Sequence, residues 1–201
     1  MAKVLRWPAG QIQEEKAQGI FYLLKEIFSG PHKNAFDKGA SGEWKVAREL
    51  AASLNDNWII MNDVKIKALQ NNTQIDHLVF GPSGVFCLET KNWNTAACDQ
   101  RGDWFRYQSK MWVPQRSPVE QHLAKVETLN NWFQGLVPDL RVHGIIVFAN
   151  PGKFEFSQAR LPDGFKVMGL PGLIEYLKRS ESVSILYSKE QLDTLVATVI
   201  Q

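Results

Sequence analysis

Three charged side chains lie within a segment that otherwise has the composition of a β-hairpin. The segment is IDHLVFGPSGVFCLETK, in which two runs of β-favouring residues flank a Gly-Pro-Ser-Gly turn. Asp76 interrupts the first run, and Glu89 and Lys91 end the second. Charged side chains are rarely buried without partners, so this group is the first candidate for chemistry.

The turn predicts how the two strands pair. With Pro82 and Ser83 as the central turn residues, Asp76 lies directly opposite Glu89, and Lys91 points to the same face of the sheet. Like charges about 5 Å apart repel by roughly 3 kcal/mol at an effective dielectric constant near 20. Protonation of one acid, pairing with a lysine or binding of a hard cation would relieve that repulsion.

Two interpretations of these residues remain open. Two carboxylates, completed by water and a substrate phosphate, suit Mg²⁺, and a metal-activated water beside a lysine is a hydrolytic site. Alternatively, Asp76 and Lys91 form a structural ion pair, and Glu89 lies at a solvated strand end. His77 points away from Asp76, and we interpret it as a hydrogen-bonded packing residue.

The flanking segments predict the elements that position this group. We expect a helix in GASGEWKVARELAASLND with Ser41 as its N-cap, a strand over about 58–66, an aromatic hairpin in GDWFRYQSKMWVPQ, a helix over 118–134 and a buried strand in VHGIIVFANPG. The order of helix, three strands, inserted hairpin, helix and strand predicts an α/β fold. Its mixed central sheet would be flanked by helices.

Length and composition indicate one globular domain with extensions. The chain has 201 residues, of which 44% are hydrophobic. We predict an N-terminal helical extension over residues 1–38 and the main domain over 39–152. A C-terminal strand–helix extension over 153–201 would pack on the same domain.

Cysteine usage and hydropathy indicate the cellular compartment. Cys87 and Cys98 form no CxxC pair, the first residues lack the apolar core of a signal peptide, and no apolar run is long enough to span a bilayer. We therefore expect a cytoplasmic protein without a membrane partner.

Positive charge is concentrated after the hairpin. Residues 91–116 carry a net charge of +3, from five basic and two acidic side chains, whereas the whole chain carries +2. Aromatic residues interleave with these charges, which suits phosphate contacts and base stacking, although a solvated hairpin with inward-packed aromatics is the alternative. The candidate nucleic-acid-binding residues are Lys65, Lys67, Trp93, Asn94, Arg101, Arg106, Lys110 and Arg116.

Four blocks of the sequence, in order, resemble the nuclease-related domain (NERD) family, a branch of the PD-(D/E)XK nuclease superfamily. They are GASGEWKVARELAASL, TQIDHLVFGPSGVFCLETKNW, SPVEQHLAKVETL and VHGIIVFANP, which together cover roughly residues 38–152. The resemblance implies a restriction-endonuclease-like core of a helix, three antiparallel strands, a helix and a strand.

The resemblance also implies roles for individual residues. Asp76 and Glu89 correspond to the metal ligands, with the Thr90 carbonyl as a third. Lys91 corresponds to the lysine that orients the attacking water or stabilises charge on the phosphate. Glu43 corresponds to the acid that supports the metal shell.

One catalytic element of related nucleases is only half present. Gln121 matches a glutamine that related nucleases follow four residues later with a tyrosine, but this chain has Lys125 there. The resemblance therefore implies a catalytic role for Gln121 within an element that is only half matched.

Taken together, these features predict a nuclease that depends on Mg²⁺, with Mn²⁺ as a substitute. It would hydrolyse phosphodiester bonds in DNA, during DNA processing or phage defence. The alternative is a catalytically silent module that binds nucleic acid or a partner such as a helicase or another defence component. RNA cleavage and assembly of a homodimer also remain open.

Overall fold

The structure is a computed structural model that describes residues 1–6, 35–65, 74–183 and 186–200. Its elements, in chain order, are β1 (Lys3–Arg6), α1 (Ala35–Ser53), β2 (Ile59–Lys65), β3 (Gln74–Gly81), β4 (Gly84–Lys91), β5 (Thr95–Cys98), β6 (Trp104–Gln108), β7 (Met111–Gln115), α2 (Pro118–Gln134), β8 (Val142–Phe148), β9 (Lys153–Glu155), β10 (Phe165–Gly169), α3 (Leu170–Val183) and α4 (Lys189–Ile200).

The main sheet has six strands in the order β1-β2-β3-β4-β8-β10. Strands β2, β3 and β4 are antiparallel neighbours, whereas β4, β8 and β10 run parallel. A parallel neighbour requires a crossover, which here contains α2. The predicted mixed α/β fold is confirmed, with the predicted order of elements from α1 to β8.

Alternating strand residues bury two apolar layers, one on each face of the main sheet. On one face, Val85 and Cys87 of β4 pack with Val126 and Leu129 of α2. On the other face, Phe86 and Leu88 of β4 belong to a second cluster with residues of α1 and α3. Helix α2 therefore covers the face that carries Glu89 and Lys91, because these residues continue the alternation of Val85 and Cys87.

A second sheet of four strands, in the order β7-β6-β5-β9, stands beside the carboxyl ends of β4 and β8. Its hairpin, β6–β7, is the one that the aromatic-rich segment predicts, with a turn at Ser109 and Lys110, which both have positive φ. Strands β5 and β9, whose parallel pairing joins short segments 58 residues apart, were not expected from the sequence.

The N-terminal extension differs from its prediction where the structure describes it. Residues 3–6 form a strand rather than a helix, because the open edge of β2 provides backbone partners, including the Trp58 carbonyl that accepts from Lys3 N at 2.9 Å. The helical pattern predicted within residues 7–34 lies outside the described residues. Helix α1 begins at Ala35, so Ser41 lies within it rather than at its N-cap.

The C-terminal extension contains strands β9 and β10 and helices α3 and α4. Strand β10 pairs with β8, and α4 contributes Leu192, Leu195 and Val196 to the core. In the part of the chain that the structure describes, no helix is both long and apolar enough to cross a membrane.

Candidate active site

The β3–β4 hairpin places the two acids opposite each other. His77 pairs with Leu88 and Gly81 with Gly84, which is the register predicted from a turn centred on Pro82 and Ser83. Asp76 and Glu89 are therefore the next opposed pair. The backbone N–H of Thr90 donates to Asp76 Oδ2 at 2.7 Å, which fixes the Asp76 carboxylate against β4.

Two lysines hold the Glu89 carboxylate, one at each oxygen. Lys91 Nζ lies 2.8 Å from Glu89 Oε1, and Lys125 Nζ lies 2.7 Å from Glu89 Oε2. All three side chains are at most 14% exposed, so these ion pairs are poorly screened by solvent. Helix α2 supplies Lys125 from the position where related nucleases have a tyrosine.

Gln121 lies one helical turn before Lys125, on the same side of α2. Its Oε1 atom accepts a long hydrogen bond of 3.5 Å from Lys91 Nζ. The structure thus brings Gln121 to the group formed by Asp76, Glu89 and Lys91.

The two acids have opposite pKa shifts. Burial, reinforced by the Glu89 charge, raises the pKa of Asp76 to about 7. Burial would also raise the pKa of Glu89, but the charges of Lys91 and Lys125 outweigh it and hold that pKa well below its usual range. Without a cation, the repulsion between the acids is thus relieved by lysine pairing at Glu89 and partial protonation at Asp76.

His122 is buried beside the acids and was not expected at the site from the sequence. Its Nε2–H donates to the Cys87 carbonyl at 2.8 Å, whereas Nδ1 has no hydrogen-bond partner among the described residues and lies 3.8 Å from Glu89 Oε2. Burial lowers the pKa of His122 to about 4, so the ring is neutral at pH 7. Nδ1 therefore presents an unused acceptor towards the carboxylate group.

A buried hydrogen-bonded chain supports the site from the opposite face of β3 and β4. His77 Nδ1 lies 2.7 Å from Asn62 Oδ1, and His77 Nε2 lies 3.0 Å from Thr90 Oγ1. Because the amide oxygen can only accept, Nδ1 carries the proton and Nε2 accepts from the Thr90 hydroxyl. His77 is thus a packing residue that fixes Thr90, whose N–H binds Asp76.

Two further acids approach from α1 and β2. The pKa of Glu43 is raised by burial and by the charges of Asp63 and Glu89. Asp63 is 4% exposed, and it was not expected at the site from the sequence. The signal was present, because an acid inside the apolar run IIMNDVK must be buried near polar groups.

The candidate nucleic-acid residues fall into three groups. Trp93 and Arg106 contact each other, with the guanidinium 5.9 Å from the ring centroid, and Asn94 Oδ1 accepts from Asn150 Nδ2 at 2.9 Å. The exposed group comprises Lys65, Arg101, Lys110 and Arg116. Lys67 lies outside the described residues.

The aromatic residues of the β6–β7 hairpin divide between the core and the surface. Trp104 is buried at 4% exposure, whereas Tyr107 and Trp112 are 45% and 49% exposed. The last two are a directly paired cross-strand couple with ring centroids 5.3 Å apart. The inward-packing interpretation thus holds for Trp104 but not for the exposed pair.

Residues 38–149 match the family model of the nuclease-related domain, over more than half of the chain. The protein belongs to the nuclease-related domain family. No curated protein and no solved structure is significantly similar to it. The NERD match contains both acids, both lysines and Gln121, so the candidate site lies inside the family domain.

Asp76 and Glu89 are the side chains of this NERD domain that could hold a hard divalent cation. In the described ranges, no group of three or more His, Cys, Asp or Glu side chains is arranged to hold a metal ion. Mg²⁺, however, often binds through one or two carboxylates and completes its shell with water and substrate phosphate. Asp76 and Glu89 provide that number of carboxylates, and a carboxylate oxygen that accepts one hydrogen bond keeps further acceptor capacity.

Proposed function

We propose that this NERD domain hydrolyses phosphodiester bonds in DNA with the help of a divalent metal ion, Mg²⁺ or Mn²⁺. The observation that carries the proposal is the close grouping of two opposed carboxylates with two lysines, inside the segment that matches a nuclease-related family. A purely structural ion pair needs one acid and one base. The second acid, with its pKa raised to about 7, has a net energetic cost that a ligand would offset.

The metal ion would be held by Asp76 and Glu89, with the Thr90 carbonyl as a further oxygen. When bound, it would supply a water of lowered pKa and neutralise charge on the phosphate. Glu43 and Asp63 would add negative potential around that position, which strengthens the attraction for a cation.

The lysines and Gln121 would act on the phosphate and the water. Lys91 is anchored between Glu89 and Gln121, so its ammonium is positioned before substrate arrives. A preorganised cation stabilises the negative charge that develops on the phosphate oxygens in the transition state. Lys125 would keep Glu89 ionised and oriented, from the position where related nucleases carry a tyrosine.

A cleavage assay tests the proposal. Purified protein is incubated with supercoiled plasmid and with linear DNA, in Mg²⁺, in Mn²⁺ and in chelator, beside Asp76→Ala and the surface control Asp193→Ala. We expect cleavage by wild type and the control in either metal, none in chelator, and a loss of at least 100-fold in Asp76→Ala. Equal behaviour of wild type and Asp76→Ala in every condition would refute hydrolysis at this site.

A second function, binding without cleavage, has its own supporting observation. The exposed Tyr107 and Trp112 rings and the neighbouring basic residues form a surface suited to a single strand whether or not the acids are active. Salt-sensitive DNA binding, with no cleavage in any metal, would favour this module over the enzyme.

A further inference from the structure

A polar pocket lies outside the carboxyl ends of the parallel strands β4 and β8. Its volume is about 260 Å³, and it is lined by Lys45, Asn92, Asn94, Arg106, Tyr107 and Asn150. Ligands of open α/β sheets bind at this end of the strands. We call it the amide pocket, after its three asparagines.

The amide pocket adjoins the candidate active site through the backbone. Asn92 directly follows Lys91, and Asn150 directly follows Ala149, whose N–H donates to the Lys91 carbonyl at 3.1 Å. A polynucleotide whose scissile phosphate lies at Lys91 would reach the amide pocket by crossing the end of β4, because α2 covers the face that carries Lys91 and α1 packs on the other.

One asparagine organises the polar groups of the pocket. The Asn150 side chain accepts from Lys45 Nζ and donates to the side-chain oxygens of Asn92 and Asn94. Lys45 donates one hydrogen of its ammonium to the Asn150 amide oxygen. The remaining hydrogens of that ammonium are therefore available to a ligand.

The pocket has two cations and no counter-ion. Within the described part of the chain, neither Lys45 nor Arg106 forms an ion pair with a carboxylate, and their partners are the Asn150 amide and the Trp93 ring. No acidic side chain lines the pocket. A concave site with two uncompensated positive charges attracts an anion.

Two glycines allow the walls of the pocket to approach each other. A Cβ on Gly42 would lie 2.9 Å from Asn92 Cβ, and a Cβ on Gly152 would lie 1.8 Å from the Asn94 carbonyl oxygen. Both residues are therefore required as glycine for this packing. Gly42 brings α1, with Lys45, against the end of β4, and Gly152 brings the chain after β8 against Asn94.

The geometry points to a binding site for one nucleotide of a DNA strand, next to the scissile phosphate. Its phosphate would bind between Lys45 and Arg106, and its base would stack on Tyr107. This inference rests on the proposed function for the location of the scissile bond. The ligand chemistry, a phosphate diester or a terminal phosphate, follows from the pocket itself.

Equilibrium binding in chelator tests the amide pocket separately from cleavage. Fluorescence anisotropy measures the Kd of single-stranded oligonucleotides, with 5′-phosphate or 5′-hydroxyl ends, for wild type, Lys45→Gln, Arg106→Gln and the exposed control Lys178→Gln. The control removes the same charge outside the pocket. Thermal unfolding of each variant verifies that it is folded.

We expect Kd to rise about tenfold in Lys45→Gln and in Arg106→Gln, and the slope of log Kd against log salt to fall by about one unit in each. The control should match wild type. If the pocket variants bind both oligonucleotides more weakly, the pocket binds an internal phosphate. If they bind only the 5′-phosphate oligonucleotide more weakly, the pocket binds a terminal phosphate. Wild-type affinity in both folded pocket variants would overturn the proposal.

The outcomes for the two proposals are separable. Weakened binding in the pocket variants, without cleavage by wild type in any metal, would support the pocket and refute hydrolysis. Metal-dependent cleavage by wild type, with both pocket variants binding normally, would support hydrolysis and refute the pocket.

Discussion

Lys125 Nζ lies 2.7 Å from Glu89 Oε2, although the two residues are 36 positions apart and belong to a helix and a strand. The contact places a second ammonium on a carboxylate that Lys91 already holds. Together the two ammonium groups stabilise the burial of Glu89 as an anion.

Replacement of Lys125 should reduce both activity and stability. The substitution Lys125→Met keeps an unbranched side chain of similar helix propensity but removes the charge. Glu89 then pairs only with Lys91, so the pKa of Glu89 rises and its carboxylate is held less firmly. We expect DNA cleavage to fall by roughly 10- to 100-fold, as for removal of a preorganised charge, and the free energy of unfolding to fall by about 1–3 kcal/mol. Single-turnover cleavage and urea unfolding measure the two effects.

The exposed Lys178→Met is the matched control, because it removes the same charge from a helix surface. Cleavage by Lys125→Met within twofold of this control would show that the ion pair with Glu89 has no part in the reaction.

His77 should make stability depend on pH. Burial lowers the pKa of His77 to about 3 in the folded protein, whereas an unfolded histidine has a pKa near 6.5. Between these values the unfolded chain binds a proton that the folded chain excludes, so stability falls as pH falls below 6.5. At pH 5.5 this single group costs about 1.4 kcal/mol relative to neutral pH.

The effect is measured as a difference between wild type and His77→Asn in chelator. The variant is less stable at both pH values, because the hydrogen bonds to Asn62 and Thr90 are altered. Between pH 7.5 and 5.5, however, its free energy of unfolding should fall by about 1 kcal/mol less than that of wild type. Parallel losses in the two proteins would mean that His77 titrates normally in the fold.

The hairpin that carries the acids was predictable because its register depends only on local turn chemistry. Once Pro82 and Ser83 occupy the turn, the alternation of strand residues places Asp76, Glu89 and Lys91 on one face. Likewise, helix α2 followed from its apolar period, and its N-terminus agrees with Pro118 at the first turn and Ser117 as cap.

The remaining parts of the site depend on tertiary packing that local patterns do not specify. Lys125 and His122 reach the acids because α2 packs across β4. The apolar period of this segment predicts a helix but not the strand that the helix covers. Asp63 joins the site through the pairing of β2 with β3, which the residues around Asp63 do not specify by themselves. The β5–β9 pairing, which shapes the amide pocket, joins two short strands distant in sequence.

Gly42 should be more sensitive to alanine than an ordinary helical glycine. Helix propensity alone predicts that Gly42→Ala stabilises α1 by about 1 kcal/mol. The new methyl group would instead lie 2.9 Å from Asn92 Cβ, so α1 must move away from the end of β4. We expect a net loss of about 1–3 kcal/mol in the free energy of unfolding.

Gly172→Ala in α3 is the control, because its nearest neighbour would be at an ordinary 3.7 Å. This variant should be as stable as wild type or more stable, and its DNA affinity should be unchanged. Stabilisation by both substitutions would contradict the close approach of α1 to Asn92.

The proposed hydrolysis requires that Asp76 and Glu89 share one divalent cation. A titration of the protein with Mn²⁺, followed by the electron paramagnetic resonance signal of the free ion, measures this directly for wild type, Asp76→Asn, Glu89→Gln and the surface control Asp193→Asn. We predict one bound ion per chain in wild type and the control, and at least tenfold weaker binding in each of the other two variants. Equal Mn²⁺ binding by all four proteins would show that Asp76 and Glu89 do not hold the ion.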